Sequence, residues 1–150
     1  LRGFDPARPV FVEAESRKIG SVQVPDALLE SMRRGQCLHI DATRAARIEF
    51  LLRDYDYFRH APDWLKARLE MLARLHSGDT IQHWQAYATE ARWAELVGEL
   101  LELHYDPLYC RSQSRNFSGF ATTTRLPTDD LSPAAIEHLA AAVRQRRQCK

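Results

Sequence analysis

The stretch PVFVEAESRKIGSVQVPDALLESMRRGQCLHIDATRAARIEFLLRDYDYF, residues 9–58, decides the fold. It opens on an apolar run, Val10, Phe11 and Val12, whose β-branched and aromatic residues predict a buried strand. VPDALLESMRRG then carries Pro25 near a helix start and Gly35 as a stop signal. CLHIDAT gives a second short strand. Thr43 is a natural N-cap for RAARIEFLLRDYDYF, where Ile48, Leu51, Leu52 and Tyr55 recur at helical spacing. Strand, helix, strand, helix in such short succession predicts an α/β fold with a parallel sheet covered by helices.

Outward from that stretch the pattern changes. Residues 62–105 are helical in rhythm, with Leu65, Leu69, Leu72 and Leu75 on one series of turns. A break is expected near Thr89 to Arg92, and Trp64, Trp84 and Trp93 are expected in the core. DPLYCRSQSRNFSG, with Pro107 and Gly119, reads as a loop or broken helix. FATTTRLP is β-prone, and SPAAIEHLAAAVRQRRQ predicts a last helix with Ser132 as its N-cap and Pro133 in first position.

Composition narrows the class. The chain has 150 residues, 45% hydrophobic and 27% charged, which suits one domain and excludes a disordered chain. No apolar run reaches the roughly 18 residues of a membrane helix, and LRGFDPARPV lacks the apolar core of a secretory signal. Cys37, Cys110 and Cys149 are odd in number and without CxxC spacing, so a reducing cytoplasm is the expected location. Net charge is +1, with local basic clusters at RSQSR and VRQRRQCK. Cations in the last turns of a helix complement its dipole, which accounts for the second cluster without a ligand. The chain opens on Leu1 and reads as a piece of a longer polypeptide.

Ligands of open parallel sheets sit beyond the carboxyl ends of the strands. Glu13 and Glu15 are expected at that end of the first strand and Asp41 at that end of the second. Period-two alternation sets Glu13 and Glu15 on one side, where paired carboxylates could hold magnesium through water. Ser16, Arg17 and Lys18 follow directly, placed to meet anionic oxygen; the bland alternative is a solvated strand end. Arg44 and Arg47, three apart on a helix, would suit a polyphosphate, or else pair with Glu49 or Asp54. His104, Tyr105, Asp106, Tyr109, Arg111 and Arg115 combine aromatic faces with cations, as nucleotide sites do. Cys110 and Arg115 are one residue short of a phosphatase-type loop, and nothing around Cys110 marks a reactive thiol. His39 reads as structural. No HExxH or similar spacing appears, so no transition-metal site is assigned.

VFVEAESRKIGSVQVPDALLESMR, followed by DATRAARIEFLLRDY and LHYDPLYCRS, resembles the carboxyl-terminal part of bacterial tRNA 2-selenouridine synthases. The most specific element is E-x-E-S-R-x-I-G followed by V-P. The resemblance implies a partial P-loop NTPase-like parallel sheet with a helical lid insertion at about residues 58–110, the whole of 1–150 being one carboxyl-terminal part of that domain. No GxxxxGK[ST] is present, and no cysteine matches a rhodanese-like domain. The implied parent activity is transfer on wobble 2-thiouridine of tRNA, through a geranylated intermediate, to 2-selenouridine. Geranyl diphosphate and selenophosphate are the implied co-substrates, with magnesium as a further candidate. Glu13, Glu15, Ser16, Arg17, Lys18, Arg44, Arg47, Arg111 and Arg115 are the implied phosphate or tRNA contacts. Implied partners are tRNA and an amino-terminal part of the same polypeptide, with self-association through uncovered sheet edges. The chain alone is expected to be inactive. Two other readings stand: a nucleotide-kinase-like phosphotransferase, and a helical module that binds a protein partner through an apolar patch on residues 62–103.

Overall fold

The computed structural model describes residue 5, residues 8–14 and residues 17–148; the side chains of residues 18, 19 and 146–148 lie outside that description. Two short strands, β1 (Lys18–Ile19) and β2 (Val22–Gln23), pair antiparallel. Gly20 turns the chain between them with φ +60, a conformation that costs a glycine nothing. Val24 N–H closes the hairpin on the Arg17 carbonyl at 2.8 Å. The glycine after the charged run is thus a hairpin turn, which the sequence reading did not anticipate.

Helix α1 (Asp26–Arg34) follows, with Pro25 as its N-cap and Gly35 as its C-cap. Strand β3 (Leu38–Ala42) runs into helix α2 (Arg44–Asp54), whose first turn is closed by Thr43 Oγ1 accepting from Ala46 N–H at 3.3 Å. Beyond a 3-10 segment (Asp56–His60) come α3 (Pro62–Glu70), a second 3-10 segment (Met71–Arg74), α4 (Gly78–Thr89) and α5 (Trp93–Leu100). A π-helical turn (Leu101–Tyr105) joins α5 to α6 (Asp106–Asn116). Strand β4 (Thr124–Thr128) then pairs in parallel with β3, Leu38 opposite Thr124 through Ala42 opposite Thr128, before α7 (Pro133–Gln148).

The presence of a parallel pair, the helix-rich middle and the break between α4 and α5 agree with the sequence reading, although the partner of β3 is β4 and not residues 9–14. Three expectations are corrected. Residues 9–14 enter no sheet among the described residues, and Val10, Phe11 and Val12 are each about half exposed. Their apolar, β-prone side chains find no partner strand, and propensity alone does not make a ladder. The segment expected as a loop or broken helix is the continuous helix α6, because Pro107 falls in its first turn, where a missing N–H costs nothing. Trp64 is 46% exposed rather than buried, and Leu75 is 63% exposed. Helical spacing identifies a face but not which of two adjoining faces meets the core.

The main core lies among α3, α4 and α5. Leu69, Ile81, Trp84, Tyr87, Ala88 and Leu96 are buried together, with Leu65, Leu72, Trp93 and Leu100 packed around them. Glu99 of α5 accepts hydrogen bonds from Trp84 Nε1 at 3.0 Å and Tyr87 OH at 3.1 Å, which fixes α4 against α5. Smaller apolar contacts bury Leu29, Ala46, Phe117 and Leu126 near the sheet.

Candidate functional site

The carboxyl ends of β3 and β4 lie together: Thr43 N–H donates to the Thr128 carbonyl at 2.9 Å. Helix α2 starts at that rim. From it Arg47 reaches Asp106, the first residue of α6, through Nη1 to Oδ2 at 2.9 Å and Nη2 to Oδ1 at 2.5 Å. This forked pairing holds the Arg47 pKa above its ordinary value, against the opposing effect of burial. One turn earlier Arg44 pairs with Glu102 at 3.0 Å. Both arginines are therefore bound to the strip that runs from the π-turn into α6, not to Glu49 or Asp54. At the side of β3, Asp41 faces Arg125 at 3.4 Å, and His39 stands edge-on to Phe120 at 6.1 Å.

A cavity of about 2250 Å³ opens beside this rim. Ligand pockets usually measure about 300–1,000 Å³, so the space exceeds what one small molecule fills. Residues 9–14 and β3 both line it, as do Arg47, Asp106, Tyr109 and Gln113. On α6, residues 106, 109, 110 and 113 follow the spacing of one helical face, and that face is the one turned to the cavity. Gln113 is buried and its Nε2 donates to the Ala14 carbonyl at 2.6 Å, tying the exposed 9–14 segment to α6. A second, apolar cavity of about 420 Å³ lies toward α7 and is bordered by Phe11, Ile40, Ile136 and Leu139.

Of the residues singled out by sequence, Glu13, Asp41, Arg47, Tyr105, Asp106 and Tyr109 share the large cavity. Arg17 is exposed and ion-paired with Asp26 at the start of α1. Lys18 contributes its backbone to the hairpin. Glu15 and Ser16 lie outside the described residues. Arg111 and Arg115, four apart on α6, sit on its exposed side and do not line the cavity. Among the described residues no group of three or more His, Cys, Asp or Glu could hold a metal ion. The expected Glu13–Glu15 pair lies only in part within the described residues, and no step is routed through magnesium.

Sequence reasoning missed Asp106 as the partner of Arg47, since fifty-nine residues separate them. It missed Gln113 as a tether as well, and the placement of Tyr57 and Trp64 on the cavity wall. The density of aromatic residues in YDYFRHAPDW was the available signal for the last of these.

Compared with known proteins, residues 4–69 match the family model of the tRNA 2-selenouridine synthase AAA domain. The match spans the opening segment, the hairpin, β3, α2 and most of α3, and it bears out the resemblance carried by E-x-E-S-R-x-I-G over that part of the chain. No curated protein and no solved structure matches the chain significantly. Among the described residues no helix is long and apolar enough to cross a membrane.

Proposed function

We propose that the chain is part of a cytoplasmic transferase that converts wobble 2-thiouridine of tRNA to 2-selenouridine through a geranylated intermediate. Its share of the work is to bind tRNA and the phosphates of geranyl diphosphate and selenophosphate. The observation that carries this reading is the match of residues 4–69 to the synthase AAA domain. The cavity supports it in kind: a largely apolar groove suits an isoprenoid chain, and Arg47 at its margin offers a guanidinium geometry suited to phosphate. Arg47 would have to exchange Asp106 for the incoming phosphate, so anion binding and release of α6 from α2 would be linked. Glu13, Glu15, Ser16, Arg17, Lys18, Arg44, Arg111 and Arg115 extend the proposed contact surface along the tRNA.

The fold part of the proposal is P-loop-like, with α3 to α6 as its lid. Strands of parallel sheets are normally covered, yet Leu38 and Ile40 of β3 are 37% and 40% exposed. No backbone hydrogen bond joins β3 to residues 9–14 among the described residues, although both line the same cavity. One more parallel strand along β3 would send alternate side chains into the large cavity and the smaller one beside α7. An amino-terminal part of the polypeptide is the proposed donor of that strand, and without it the edge self-associates.

The chain by itself is expected to bind thiolated tRNA and to make no product from geranyl diphosphate. Equilibrium binding followed by a turnover assay tests both statements. Absence of any tRNA affinity removes the reading; product formation removes the claim that the chain is inactive alone. A second reading, a protein-binding helical module, draws on Met71 and Leu75, which are 65% and 63% exposed. It predicts that Met71→Ser with Leu75→Ser abolishes partner capture and leaves tRNA binding untouched.

A further inference from the structure

We infer that Tyr57 and Trp64 form a stacking platform for one unstacked nucleobase of RNA, an inference that rests on the tRNA reading above. Both side chains line the large cavity, and they are 57% and 46% exposed. Their ring centroids lie 6.2 Å apart at 66°, with Tyr55 a further 6.3 Å from Tyr57. Exposure here is not a by-product of a crowded core. On α3, Leu65 and Leu69 meet the core, and Phe58 beside them packs edge-on to Trp93 at 5.5 Å. The same turn of helix leaves Trp64 on the outer face, where a polar residue would cost nothing.

The cation beside the indole selects the ligand. Arg68, one turn after Trp64, holds its guanidinium 5.2 Å above the indole centroid. Arg68 contacts Met71 sulfur at 3.6 Å and Arg59 donates to the Leu52 carbonyl at 2.9 Å. Neither guanidinium forms an ion pair among the described residues, whereas neighbouring Arg53 and Lys66 pair with Asp54 and Asp63. A flat aromatic ligand that carries phosphates on its flank satisfies both features. Bases stack on exposed aromatic faces while guanidinium groups without a carboxylate partner meet the backbone. An isoprenoid chain has no use for Arg68 and is better served by the half-buried Leu72 and Leu100, which line the same cavity.

The test uses an anticodon stem-loop RNA bearing 2-thiouridine at the wobble position, and the same RNA abasic there, with binding read by fluorescence anisotropy. The intact RNA is expected to bind the chain about tenfold more tightly than the abasic one. Trp64→Ala and Tyr57→Ala should each shrink that ratio toward one, and Trp64→Phe should recover part of it. Both side chains are exposed, and thermal melting verifies that the variants fold. Equal binding of the two RNAs by the unaltered chain overturns the platform, with no variant needed. So does a ratio that survives both alanine substitutions. If neither RNA binds, the tRNA reading fails and the platform falls with it; if both bind without preference for the base, the platform fails alone.

Discussion

Arg47 and Asp106 stand fifty-nine residues apart in the chain and meet through two hydrogen bonds, at 2.9 and 2.5 Å. The pair joins the first turns of α2 and α6, the two helices that flank the large cavity. Bidentate geometry and partial burial lift it above an ordinary surface ion pair. Arg47→Ala should therefore lower stability by about 1–2 kcal/mol, and the double variant with Asp106→Ala should lose less than the two single losses added together. Urea titration of the four proteins measures the coupling. Additive losses would mean that the fork contributes nothing of its own.

What could be read ahead of the structure follows from the range of the forces involved. Thr43, Pro25, Ser132 and Pro133 announce helix starts because capping acts within a few residues, and each of those starts is found. The β-prone character of FATTTRLP was legible, but the strand–helix–strand rhythm of residues 9–58 predicted residues 9–14 as the partner of β3, and β4 takes that place. The strand predicted from Val10, Phe11 and Val12 illustrates the limit. Apolar character says that a segment wants cover, but a ladder needs a second backbone, which no local pattern supplies. The site divided for a related reason: Glu13 and Arg47 share a cavity through long-range packing, while Arg111 and Arg115 are turned away by the helical phase of α6. That phase could be followed only once the segment was known to be helical.

The carboxylate of Glu99 serves Trp84 and Tyr87 together, and Trp84 is fully buried. Glu99→Ala strands a buried indole N–H, a loss of about 1–3 kcal/mol. Glu99→Gln keeps an oxygen acceptor for one of the two donors and should cost less. Denaturant midpoints for the two variants should fall in that order. Equal midpoints for Ala, Gln and the unaltered protein would mean that the network does not hold α4 to α5.

Ala91 adopts φ 54 between α4 and α5, a left-handed conformation in an L-residue. The Cβ pays a steric penalty there that glycine avoids. Ala91→Gly is expected to raise stability by up to about 1 kcal/mol, the relief being partly offset by the greater freedom of glycine in the unfolded chain. The change reads as a rise of a few degrees in melting temperature. A fall would place the strain elsewhere in the connection.

His76 Nε2 lies 3.0 Å from His104 Nδ1, and such a contact requires one ring to accept. Burial, and then the proximity of His76, hold the His104 pKa below its ordinary value of about 6.5. Tyr105 and the buried Trp84 complete the aromatic surroundings of the pair. The sign follows from proton counting. Below pH about 6.5 the unfolded chain takes up a proton at His104 that the folded chain resists, so stability declines as pH falls through that value toward the depressed one. His104→Gln removes this contribution. Its stability should vary less with pH between about 7 and 5 than that of the unaltered protein, measured by urea titration at each pH. Parallel curves for the two proteins would show that the histidine contact carries no proton linkage.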